Sequence, residues 1–255
     1  MKSTCNLKAF SVRFAPILLG MGILLTQTAS NFAADGIIPP GVYQPNSAPY
    51  GKTYNDWSAE HWKWVYSLPV DHHPLFDTAD ISTGQSGPVW FLGGTFTTIE
   101  SEPGMVIGNA TRSGTIPLGK ALFFPIIDSE CATIEGNGTT YKELRNCSKD
   151  SVNHTTFVAC EIDGEPVKNL DHFRVPSHLF TFGPLPQNNV LQAFGVDAPA
   201  GATSSSVSDG YFVMVAPLPA GNHTIHFAGA LVFTAEKDGF DFTFALDITY
   251  NLTVQ

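Results

Sequence analysis

The sequence predicts a mainly β protein: a two-sheet β-sandwich of jelly-roll type, with one N-terminal amphipathic helix. Three observations predict it. Downstream of residue 86 the apolar side chains come in short or alternating runs, separated by clusters of Gly, Pro, Asn and Asp. Along the C-terminal segment Phe240, Phe242, Phe244, Leu246, Ile248 and Tyr250 share one parity, while Asp241, Thr243, Asp247 and Thr249 share the other. That is the pattern of a strand with one face in a core and one in water. Helical spacing is confined to Tyr54–Leu68, where Trp57, His61, Trp64 and Leu68 fall on one face. Many short strands suit a jelly roll, and an immunoglobulin-like arrangement is the alternative.

From the N-terminus, Lys2, Lys8 and Arg13 precede the apolar run Phe14–Leu25, and the small residues Thr28 and Ser30 follow it. This order predicts a signal peptide over residues 1–30, the run being short of the roughly 20 residues that span a bilayer. No later run approaches that length, so no membrane span is expected and the chain is expected to be secreted. Residues 31–50 are rich in Pro and Gly and read as an extended lead-in. Residues 51–255 read as one domain. Its helix 54–68 is capped by Thr53, with Asp56 suiting the positive end, and is stopped by Pro69. Strands are expected at Val89–Leu92, Ala121–Ile127, Phe157–Ile162, His178–Phe182, Tyr211–Ala216, His223–Phe227 and Phe240–Val254. Two hairpins are expected: Tyr211–Ala216 with His223–Phe227, and Leu231–Ala235 with Phe240–Leu246 around Asp238-Gly239.

Charge narrows the partners. The whole chain has a formal net charge of −10, and removal of residues 1–30 leaves 10 basic against 23 acidic side chains, a net −13. So acidic a chain is repelled by nucleic acid and anionic lipid. Past the leader only Cys131, Cys147 and Cys160 remain, which allow one disulfide in any of three pairings. Asn109, Asn137, Asn146, Asn153, Asn222 and Asn251 each open an Asn-x-Ser/Thr glycosylation sequon.

The blocks HHPLFDTADISTGQSGPVWFLGGTF (72–96), IPLGKALFFPIID (116–128), SDGYFVMVAPLPAGNHTIHFAG (208–229) and LDITYNLTV (246–254), with the Trp-rich helix ahead of them, resemble an uncharacterised family of secreted proteins. The resemblance spans most of the chain past the leader and implies common descent. It brings no activity with it. It also implies a cysteine shortly before GQSGPVWFL, and residues 78–83 contain none.

The densest polar constellation is Asp71, His72, His73, Asp77 and Asp80, just past the helix. Carboxylates and imidazoles together can hold a divalent metal or run acid–base chemistry. Asp71, His73 and Asp77 are therefore the candidate metal and catalytic residues, with Glu60 and His61 on the helix placed to face the same loop. No cofactor motif is evident. The competing reading is a loop whose aspartates cap turns. Trp62 lies off the apolar face of the helix, and Trp62, Gln85 and Trp90 are the candidate ligand residues for an extracellular glycan, whose rings present an apolar face and many hydroxyls. Three function classes stay open: a non-catalytic extracellular module binding carbohydrate or another surface ligand, a metal- or carboxylate-dependent hydrolase centred on Asp71, His73 and Asp77, and a structural envelope or matrix protein.

Overall fold

The computed structural model describes residues 36–255, and the expected signal peptide lies outside them. In chain order the elements are β1 (Ile37–Ile38), β2 (Val42–Tyr43), helix α1 (Tyr54–Ser67), β3 (Val89–Phe91), β4 (Ile99–Glu102), β5 (Met105–Ile116) and β6 (Ala121–Ala132). Helix α2 (Tyr141–Val152), β7 (Thr155–Ile162), β8 (Glu165–Pro166), β9 (Arg174–Pro176) and β10 (Phe180–Phe182) follow. The chain ends with α3 (Val190–Ala193), β11 (Ser204–Val215), β12 (Gly221–Phe233), α4 (Ala235–Asp238) and β13 (Phe242–Val254).

The strands form two packed sheets in an open sandwich. Sheet 1 runs β1-β2-β11-β6-β3, with β9 and β10 also paired to β11; sheet 2 runs β4-β5-β13-β12-β7-β8. Both are mixed, because β3 pairs with β6 and β5 pairs with β13 in parallel. The Pro- and Gly-rich lead-in contributes the β1–β2 hairpin, which joins the sheet where Val42 meets Val215.

Helix α1 begins with a reciprocal capping box between Thr53 and Asp56 and ends before Leu68 and Pro69. Its face of Trp57, His61, Trp64 and Leu68 is buried. There Tyr54 and His61 meet the ring of Phe123. Phe124, pointing the other way, stacks on Phe227 of sheet 2 at 4.9 Å. Strand β6 is therefore covered on both faces, which is why Ala121–Ile127 is an unbroken apolar run rather than an alternating one. Pro125, which has no N–H to pair, sits where the β6–β11 register shifts, leaving Ile126 unpaired. The shift reverses the alternation, so Asp128 and Glu130 come to lie on the helix side, bonded to Trp62 and Tyr66 of α1.

Two expectations about connectivity meet different outcomes. Leu231 and Phe233 do pair with Phe244 and Phe242, joined through the short helix α4 and a left-handed Gly239. Tyr211–Ala216 and His223–Phe227 do not form a hairpin. They belong to different sheets, and Pro217–Ala220 carries the chain across the sandwich. The turn residues there signal a reversal, and nothing local distinguishes a hairpin from a crossing between layers.

Strand β5 and helix α2 were not expected. On the inward side β5 carries Gly108, Arg112 and Gly114, and a Cβ at Gly108 or Gly114 would lie 2.7 Å from Leu246 or 2.4 Å from Ile81. Close packing thus removed the apolar alternation by which a strand is recognised. Helix α2 buries only Leu144, Ser148 and Val152, a narrow stripe. Cys131 and Cys147 form the disulfide, tying α2 to β6. Cys160 is free and buried, its thiol pushed up to about 12 by loss of hydration.

Candidate functional site

The residues proposed for metal and hydrolytic chemistry are not brought together. His73 is fully buried; its Nε2 lies 3.0 Å from the Val65 carbonyl, and its Nδ1 accepts from the Leu75 N–H at 3.0 Å. That pattern fixes Nε2–H as the donor and leaves no free lone pair, and burial lowers its pKa to about 4. Asp77 is held by Arg112, whose Nε donates to Oδ1 at 2.6 Å and whose Nη2 donates to Oδ2 at 3.3 Å. Asp71 is exposed. Glu60 pairs with Lys52 and Lys63 on the surface. Among the described residues no group of three or more His, Cys, Asp or Glu is placed to hold a metal ion. His73 and Asp77 thus fasten the loop to α1 and β5.

Gln85 also has a structural task. Its side-chain amide accepts from the Phe91 N–H at 2.8 Å and donates to the Phe91 carbonyl at 2.7 Å, pairing with β3 as a neighbouring strand would. Trp90 is in the core among residues between the sheets. Neither is available to a ligand. All six sequon asparagines are exposed. Two of them interlock on the outer face of sheet 2. Asn222 accepts from Thr253 Oγ1 at 3.1 Å and Asn251 accepts from Thr224 Oγ1 at 3.5 Å, so each sequon's hydroxyl bonds the other's asparagine.

Trp62 is placed differently. Its half-buried ring leans on Tyr66, 5.3 Å away, and its Nε1–H donates to Asp128 Oδ2 at 2.8 Å. Trp62 and Asp128 line a cleft of about 120 Å³, whose other walls include His61, Thr95, Phe96, Phe244 and Leu246. His61 is 2% exposed; its Nε2 lies 2.9 Å from the Leu92 carbonyl, and its Nδ1 has no partner. Donation from Nε2 makes Nδ1 a bare acceptor, and burial lowers the imidazole pKa to about 4, so the ring is neutral. Asp128 is pushed up to about 7, chiefly by loss of hydration, against the Trp62 hydrogen bond and with help from nearby Asp209.

Beside the cleft lies a second acidic group. Glu130 accepts from Tyr66 Oη at 2.5 Å and from Ser206 Oγ. Burial, then the proximity of Glu135, holds its carboxyl well above the ordinary range. Glu135 is raised as well, by burial, while accepting from the Ala132 N–H at 2.9 Å. On the opposite face of sheet 1, Asp209 is 1% exposed and paired with Arg145 and Arg174.

No family model matches the sequence, and no curated protein matches it either. Among solved structures, amebosin is 11% identical over 60% of this chain and all of its own, with a TM-score of 0.17. The structure of PbICP-C in complex with falcipain-2 is 15% identical over 66% of this chain and all of that one, with a TM-score of 0.21. Overlaps this slight establish no kinship.

The residues missed by sequence reasoning are Asp128 and Glu130. His61 was placed on the apolar face of α1 and toward the loop that follows it, but its unpartnered Nδ1 had no sequence signal. Asp128 and Glu130 follow directly on the apolar run of β6, and Pro125 within that run was the available sign that the alternation would reverse.

Proposed function

We propose that this is an exported, non-catalytic binding module that takes one terminal unit of an extracellular glycan in the Trp62–Asp128 cleft. The single observation that carries the reading is the pairing of a half-buried indole face with a carboxyl in one small cleft. Sugar rings lay C–H faces on aromatic rings and direct hydroxyls to carboxyl oxygens. A volume of about 120 Å³ is below the ~300 Å³ of sites that enclose a drug-sized ligand, which suits one end group. Glycoside hydrolysis canonically uses two opposed carboxyl groups, whereas Asp128 alone lines this cleft; that favours binding over turnover. The Cys131–Cys147 disulfide, the exposed sequons and the leader-like N-terminus support an oxidising, extracellular setting.

The test is a glycan array probed with wild type and Trp62→Ala. A discrete set of glycans is expected to bind wild type and to bind the variant about tenfold more weakly, some 1.4 kcal/mol. Equal binding by both proteins, or a blank array, overturns the reading.

A further inference from the structure

The side chains around the cleft are mismatched in hydrogen-bond character. The Trp62 N–H is spent on Asp128. The Thr95 hydroxyl donates toward the Leu75 carbonyl at 3.3 Å and accepts from the Thr97 N–H at 3.1 Å. What the side chains leave open to the cleft is an acceptor, the second oxygen of Asp128, which has no partner among the described residues; the bare Nδ1 of His61 is sealed in the wall. The remaining lining is apolar or aromatic, including Phe96 and Phe244. An occupant that supplies donors therefore gains most there. A glycan hydroxyl supplies one. An ammonium group supplies three, carries charge opposite to that of ionised Asp128, and is attracted to aromatic faces.

The local field agrees. Behind the wall lies Arg112, whose Nη1 donates to the Gly94 carbonyl at 2.8 Å and whose charge is matched by Asp77. With a net charge of −10 overall, the chain repels acidic sugars and attracts basic ones.

We propose that the unit recognised is an amino sugar with a free amine, its ammonium seated on Asp128 and its ring on Trp62. This rests on the glycan-binding role proposed above and names the chemistry of its ligand.

The probes are D-glucosamine, N-acetyl-D-glucosamine, D-glucose and D-glucuronate, titrated into the folded protein by calorimetry. Glucosamine is expected to bind at least tenfold more tightly than the other three. Asp128→Asn keeps the side chain's shape and an acceptor for Trp62, and it is expected to collapse the preference for glucosamine over glucose. Should that variant not fold, ¹⁵N NMR of wild type gives the second measurement: the Trp62 Nε1 resonance, whose N–H is bonded to Asp128, shifts on adding glucosamine. Glucose or N-acetylglucosamine binding as tightly as glucosamine overturns the proposal, as does an unmoved Trp62 Nε1 resonance with glucosamine bound. If glucosamine fails while the array shows other glycans, the amino-sugar assignment alone is lost; if the array is blank, the binding role goes with it.

Discussion

Arg112 shows what one side chain contributes when it joins three segments. From β5 it reaches Asp77 in the loop after α1, the Gly94 carbonyl after β3, and the Tyr250 hydroxyl on β13, at 2.9 Å. Its side chain is 6% exposed and that of Asp77 is 48% exposed, so the guanidinium is the buried partner. Arg112→Ala is expected to cost about 3 kcal/mol, because it strands several acceptors and opens a void. A thermal-unfolding loss below about 1 kcal/mol would show the network to be ornamental. Glu130 makes a different prediction. Its pKa is raised on folding, so the folded state binds more protons than the unfolded one and stability falls as pH rises. The fall begins near pH 4, the ordinary range for Glu, and Asp128 adds to it up to about pH 7. Urea unfolding is expected to give a lower midpoint at pH 8 than at pH 5, and Glu130→Gln, which keeps a neutral side chain at both, is expected to shrink the difference. An unchanged difference would place the proton elsewhere.

Among the elements, α2 depends most on a covalent tie. Leu144 packs with Cys131 and Val207, and the disulfide spans 16 residues. A loop of that length predicts a loss of about 3 kcal/mol for Cys131→Ser with Cys147→Ser. Hydrogen exchange should locate that loss over Tyr141–Val152; uniform loosening of the whole protein would refute the local account. The legibility of each element in the sequence followed how much apolar side chain it needs. Helix α1 was readable because Trp57, His61, Trp64 and Leu68 repeat at helical spacing and Thr53 and Asp56 cap them. Helix α2 also carries a capping box, Thr140 with Glu143, and that was the signal to follow, since its stripe of Leu144, Ser148 and Val152 is too thin to stand out. Strand β5 escaped notice because Gly108 and Gly114 make room for Leu246 and Ile81.

At the scale of the whole molecule, helix, sheet and sheet are held by a strand apolar on both faces. The sheets approach so closely that a Cβ on Gly229 would lie 2.9 Å from the Cβ of Ile127. Gly229→Val should therefore cost about 2 kcal/mol by overpacking, while Ala228→Val on the outer face should stay within about 0.5 kcal/mol. Equal midpoints in a chemical melt would mean that the layers can slide apart freely. The candidate site was half legible for the same architectural reason. Trp62 stood out because it departs from the buried face of α1. Its partner Asp128 lies 66 positions away and reaches it only because the β6–β11 register shifts beside Pro125, a three-dimensional event that no local spacing announces. His73 and Asp77 misled because residues that fasten a loop are the same types that bind metals.

The crossed Asn222–Thr253 and Asn251–Thr224 bonds use only the asparagine oxygens as acceptors. A sugar is attached through the amide nitrogen, so carbohydrate on either strand leaves this lattice intact. Decorated and bare copies of the chain can therefore share one strand alignment, and the host's processing machinery is free to vary the coat without disturbing the scaffold.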